Sequence, residues 1–263
     1  MVSITNKLPS VVRTSSQPTA ARTAPPAPQP AASKGWAPGS TPRPVATAPT
    51  AAPVQASASG TSVPIGPFAT GVSMLTKAIL DDSDPVSTSL TSNAAVDHLA
   101  QSALAVLQRE LNERGEMGAA VTLSKQFSAI PAPVTDRQEP METVASNSER
   151  ANAMYGLLEK LSAAMGRIPQ AATDPTASMQ SRVVSSSNTL VKAEVDLGLA
   201  LNKAYAETGD PALAEKTQAF LEQLPARVAK GTESVTDLGP KLEAKNLLAA
   251  SLITEFAKSL GAE

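Results

Sequence analysis

The chain has no cysteine and only one histidine, His98, in 263 residues. No cysteine means no disulfide framework, thiolate zinc site or cysteine nucleophile. A lone imidazole excludes any site that needs two. Aromatic residues make up 3% of the chain, with one Trp, two Tyr and four Phe, so base-stacking surfaces are poorly supplied. No run of about 18 apolar residues occurs, and no transmembrane helix is expected. The opening stretch MVSITNKLPSVVRTSSQPTA lacks the apolar core of a secretory signal peptide. Val2 stands where N-myristoylation requires glycine. Acids are missing too, but only locally: none precedes Asp81.

That local absence divides the chain. Residues 1–80 carry six bases (Lys7, Arg13, Arg22, Lys34, Arg43, Lys77) and no acid, which leaves 16 bases against 24 acids for residues 81–263. The overall charge of −2 thus averages a basic segment and one of net −8. Proline is divided in the same way, with 13 of 22 at or before Pro67. Each proline lacks an N–H and restricts the residue before it, so neither helix nor sheet propagates. Large apolar side chains are too few to offset the entropy of ordering. Residues 1–67 are therefore expected to be a disordered Pro/Ala/Ser/Thr-rich tail with polyproline II character. Trp36 reads as an exposed aromatic, and TPRP at 41–44 is a weak candidate ligand for proline-binding domains.

From Phe68 onward the apolar residues fall at helical spacing. Phe68, Val72, Leu75 and Ile79 mark a first helix, closed by Asp81-Asp82-Ser83-Asp84-Pro85. This acidic run lacks the glycine and glutamate of a calcium loop and reads as a solvated turn. A second helix is expected from about Asn93, with a stripe through Val96, Leu99, Ala103, Leu107 and Leu111, and His98 at its border. A shorter helix follows over 117–127, and then Pro131, Pro133 and Pro140 break the chain. A third strong helix is expected to start at the Ser146/Glu149 capping box and to end near Gly166 and Pro169. Asp174-Pro175 reads as a cap followed by proline at the first helical position, opening a long helix over 175–207. Within it, positions 179, 183, 186, 190, 193, 197, 200 and 204 follow heptad spacing. The small residues Ser186, Ala193 and Ala200 let another helix come close, a seam suited to an antiparallel hairpin or a bundle. The last helix, through Leu252 and Phe256, is its expected neighbour. Asp210-Pro211 and Gly239-Pro240 open two further helices, and Pro225 is expected to kink or end the first of them.

These patterns predict an all-α fold: an elongated helical bundle, or coiled-coil-like hairpins, behind a disordered tail. Three parts are expected: the tail 1–67, a helical subdomain 68–130, and a bundle 141–263 with the long helix 175–207.

Catalytic patterns are missing. No phosphate-binding glycine loop, G-x-S-x-G elbow or H-E-x-x-H occurs in the sequence. Acid pairs such as Glu110 with Glu113, or Glu194 with Asp196, read as solvated helix faces. No catalytic, cofactor-binding or metal residue is assigned, no cofactor is expected, and the chain reads as a non-enzyme. An acidic bundle poor in aromatics is not expected to bind nucleic acid.

The first 50 residues, unfolded in character, rich in Ser, Thr and Pro, free of acids and aliphatic at Ile4, resemble the export signals of bacterial type III secreted effectors. The resemblance is one of composition and covers about the first quarter of the chain. It implies a protein made in the cytoplasm, then secreted and translocated into a host cell. The expected partners are proteins: a host target, a secretion chaperone or a component of the export apparatus. An organelle transit peptide, a plain linker, a cytoplasmic helical protein and an effector enzyme with a dispersed site remain open as alternatives.

Overall fold

A computed structural model describes residues 69–81, 84–169, 174 and 176–261. The tail expected over 1–67, with Trp36, TPRP and the export-signal region, lies outside the described residues, as does Pro175. The described residues form seven α-helices: α1 (Ala69–Leu80), α2 (Pro85–Glu113), α3 (Met117–Ala129), α4 (Pro140–Met165), α5 (Met179–Thr208), α6 (Ala212–Gly231) and α7 (Leu238–Leu260). No strand occurs among them. The fold is all-α, as the periodicity predicts.

Three helix starts differ from the sequence reading. Helix α2 opens at Pro85, eight residues before Asn93. Asp84 is its N-cap, in extended conformation, and accepts from the Val86 N–H at 3.2 Å and from the Ser87 hydroxyl at 2.7 Å. The Ser/Thr-rich first turns hid this start. Their hydroxyls bond back to helix carbonyls, Ser89 to Val86 and Thr91 to Ser87, so residues that favour turns are accommodated inside a helix. Helix α4 likewise opens at Pro140, and the Ser146/Glu149 pair lies inside it. Helix α5 starts later than expected, with Ser178 as N-cap accepting from the Ser181 N–H. Asp174 instead closes a local turn onto the Thr176 N–H and hydroxyl. The other end of α5 follows the usual rule, for Gly209 takes the left-handed conformation (φ 65°) and donates to the Tyr205 carbonyl. Pro225 lies inside α6, which continues to Gly231. It sits on the exposed face, while Leu224 and Val228 anchor the helix to the core on either side of it.

The helices before and after the proline loop share one core, because α2 packs along α4 and also touches α5. Helix α3 touches only α2 and α4 and lies outside this core. Helix α5 lies inside it, touching α7, α2, α4, α1 and α6. Its most extensive partner is α7, as the shared stripes predict, but the two run parallel. Arg182 meets Glu243, Ser186 meets Asn246, and Met179 meets Gly239, so both helices advance in the same direction. The intervening α6 runs back against α7, with Phe220 stacked on Phe256 at 4.2 Å and Gly231 against Leu248. Parallel neighbours therefore arise from an up-down-up path.

The expected seam is buried at Ser186, Leu190, Ala193, Leu197 and Ala204, but Met179 is exposed and Ala200 half-buried. Burial also extends to Val191, Val195 and Gly198. Helices α2 and α4 cover that second side, since Gly198 meets Leu99 and Asp196 meets Ser162. Lys192 on that side is half-buried and paired with Asp196.

Polar groups fasten the proline loop to this core. The side chain of Asn147, fully buried, accepts from the Val134 N–H at 2.8 Å and donates to the Val134 carbonyl at 3.0 Å. Arg150 donates to the Pro131 carbonyl, to Asn93 and to Asp97. Two prolines within 131–134 prevent the loop from forming its own ladder, and these side chains take the place of the missing backbone partners.

Replacing Leu197 with Asp places an unpaired charge at a site with no exposure and should cost roughly 3 kcal/mol or more. Lys203→Asp on the exposed face of the same helix should stay within about 0.5 kcal/mol. Urea unfolding of both variants checks the pair. Gly198 gives a second test. A Cβ there would stand 2.6 Å from a Leu99 methyl. Gly198→Ala should therefore lose about 1–3 kcal/mol despite its better helix propensity, and the loss should shrink in a Leu99→Ala background.

Candidate functional site

Two concavities and the buried carboxyl of Glu194 are the features with chemical potential. The first concavity, about 400 Å³, lies where α1, α2, α4 and α5 converge. Leu75, Ala78, Ile79 and Val144 give it apolar walls, while Thr88, Ser89, Ser92 and Ser148 add hydroxyls. Asn202 and Tyr205 reach it from the end of α5, and Asp81 stands at its rim. The helix-start chemistry places these groups. With Asp84 as cap, the first two turns of α2 pack against α1 and bring Thr88, Ser89 and Ser92 onto one face. Beside the cavity Tyr155 is buried next to Ser92, its hydroxyl without a hydrogen bond of good geometry. Burial pushes its pKa above the ordinary tyrosine range, and the Ser92 hydroxyl opposes the shift.

The second concavity, about 690 Å³, runs between the end of α2 and α3. Gln108, Asn112, Ser124, Lys125 and Ser128 provide polar edges, and Met117 and Val121 lie along it, 55% and 44% exposed. Helix α3 buries only Ala120 fully. Leu123 and Phe127 rest against the core, which turns Met117 and Val121 outward. A smaller exposed set, Met179, Leu238 and Leu242, marks the start of the α5–α7 pair.

The acid pairs read as solvated faces separate in the structure. Glu113 is exposed. Glu110 accepts from the Asn188 amide, whose oxygen takes a hydrogen bond from Arg109, and so ties α2 to α5. Asp196 binds the Ser162 hydroxyl and Lys192. Glu194 is the correction: it is 2% exposed and its Oε1 has no hydrogen-bond partner. On α5 its same-face neighbours Leu190, Val191, Leu197 and Gly198 are all buried, a consequence of the second packing side that heptad spacing did not reveal. Burial holds its carboxyl well above the usual carboxylate range. His98 is half-buried, at the border of the α2 stripe as its position predicts.

Among the described residues no group of three or more His, Asp or Glu is placed to hold a metal ion. No helix among them is long and apolar enough to cross a membrane. Comparison with known protein families, characterised proteins and solved structures gives no match.

The Glu194 carboxyl sets a pH dependence. Its pKa is higher in the folded chain than in the unfolded one, so folding retains a proton that the unfolded chain releases. This residue's contribution is undiminished below the unfolded glutamate pKa and is lost as pH rises through the folded value. Glu194→Gln keeps the shape and cannot ionise. It should be more stable than the parent chain at neutral pH and above, with the gain vanishing as pH falls toward about 4. Chemical denaturation at several pH values checks this.

Proposed function

We propose that the chain is an exported interaction protein: an N-terminal export address of the type III kind joined to a helical bundle that binds another protein. The observation that carries the binding half is the α2–α3 groove, with Met117 and Val121 exposed along a concave surface edged by Gln108, Asn112 and Lys125. Exposed large apolar side chains in a polar-edged groove suit an amphipathic helix from a partner, which would lay its apolar face against them. Helix α3 touches only α2 and α4, which places the groove at the edge of the α5-centred core.

The export half rests on composition. Residues 1–80 hold six bases and no acid, and 13 prolines fall by residue 67. A narrow conduit admits unfolded chain, and a segment that resists folding is ready to enter it. The host target, or a chaperone or apparatus component, is the protein partner this reading requires.

Fusing residues 1–50 to a reporter, in bacteria with and without a working type III apparatus, tests the address. Export only with the apparatus is the expected result, and equal retention in both strains refutes it. For the groove, the full chain and a Met117→Glu/Val121→Glu variant serve as paired baits in host and bacterial lysates. A protein retained by the parent should be lost with the variant, whose exposed positions leave unfolding within about 0.5 kcal/mol of the parent.

A further inference from the structure

We propose that the cavity between α1, α2, α4 and α5 is a binding site for a primary ammonium group carried on a short apolar stem. The argument starts from where the hydroxyl protons of the cavity wall go. Thr88 donates to the Asp81 carbonyl at 2.9 Å, Ser89 to the Val86 carbonyl at 2.8 Å, and Ser148 to the Val144 carbonyl at 2.7 Å. A hydroxyl has one proton to give, so each of these oxygens can only accept from anything in the cavity. The Asn147 amide takes one lone pair of Ser89, at 3.0 Å. Three of the wall's four Ser and Thr hydroxyls therefore present only lone pairs to the cavity, while the Asn202 amide adds donors as well as an acceptor.

Two further groups give the same sign. Asp81 is the one carboxylate side chain among the described lining residues. Tyr205, half-buried at the end of α5, also lines the cavity, and an aromatic ring attracts a cation to its face. An ammonium group has three donors and no acceptor, the complement of such a wall. An anion would face lone pairs and a carboxylate, and an alkane would leave the lone pairs without partners. The stem is accommodated by Leu75, Ala78, Ile79 and Val144. At about 400 Å³ the space is of small-ligand size. A free alkylamine and a lysine side chain both present this chemistry. The site is independent of the α2–α3 groove, so either can fail without the other.

The test is calorimetric titration of the full chain at neutral pH with n-hexylamine, its neutral isostere 1-hexanol, and Nα-acetyl-lysine N-methylamide. At least one amine should bind saturably and roughly tenfold or more tighter than hexanol. Whichever amine binds tighter identifies the source as a free amine or a lysine side chain. Asp81→Asn, at an exposed rim position, and Thr88→Val, which keeps the shape and removes the acceptor, should each weaken amine binding severalfold and leave hexanol unchanged. Circular dichroism confirms that both variants are folded. Equal affinity for amine and alcohol, no saturable amine binding, or a folded Asp81→Asn variant with unaltered amine affinity overturns the proposal.

Discussion

The close parallel contact between α5 and α7 is the constraint on which the rest of this fold depends. Two helices with their carbonyl ends aligned gain nothing from their dipoles, so packing must hold them. Small residues allow that packing, with Ser186 and Ala193 on one helix and Ala249, Ala250 and Ala257 on the other, all buried. A parallel pair within one chain needs a return path, and α6 supplies it. Once α7 covers one side of α5, the other side must be covered by α2 and α4. Gly198 and Gly71 then admit Leu99 of α2 between α5 and α1. The bundle closes around α5 because each of its sides meets a partner shaped for it.

A second device works differently. The α2–α4 contact is fastened by Asn93, Asn147 and Arg150, whose donors and acceptors go to each other and to the proline loop. Directional bonds between specific atoms fix the axial register of these two parallel helices. The Arg150–Asp97 pair, with Arg150 8% exposed, belongs to the same set. Such a pair contributes little net stability, but losing one partner leaves the other charge buried.

The fold class was legible because helix periodicity is a local signal and the apolar stripes of α2, α4, α5 and α7 are continuous. The partnership of α5 with α7 was legible from their matching stripes. Its direction was not, since a seam of small residues admits either orientation. Helix starts were misread where Ser and Thr crowd a first turn, as at Ser87–Ser89, because such residues favour turns until their hydroxyls find helix carbonyls. Glu194 was misread because heptad spacing describes one seam, and α5 has two packed sides. The cavity left no sequence pattern at all. Its walls come from four helices, and the hydroxyls of Thr88, Ser89 and Ser148 take their meaning from where each proton goes.

The parallel arrangement also governs how the chain can fold during synthesis. The groups that join α5 to α7 are separated by 60 residues, as between Ser186 and Asn246. Helix α5 leaves the ribosome well before the surface that will cover it exists, and its apolar side stays uncovered while α6 and α7 are made. Contacts of this separation close a long loop and slow the final collapse. The same topology that gives α5 its buried position thus keeps the nascent bundle open until its last helix arrives.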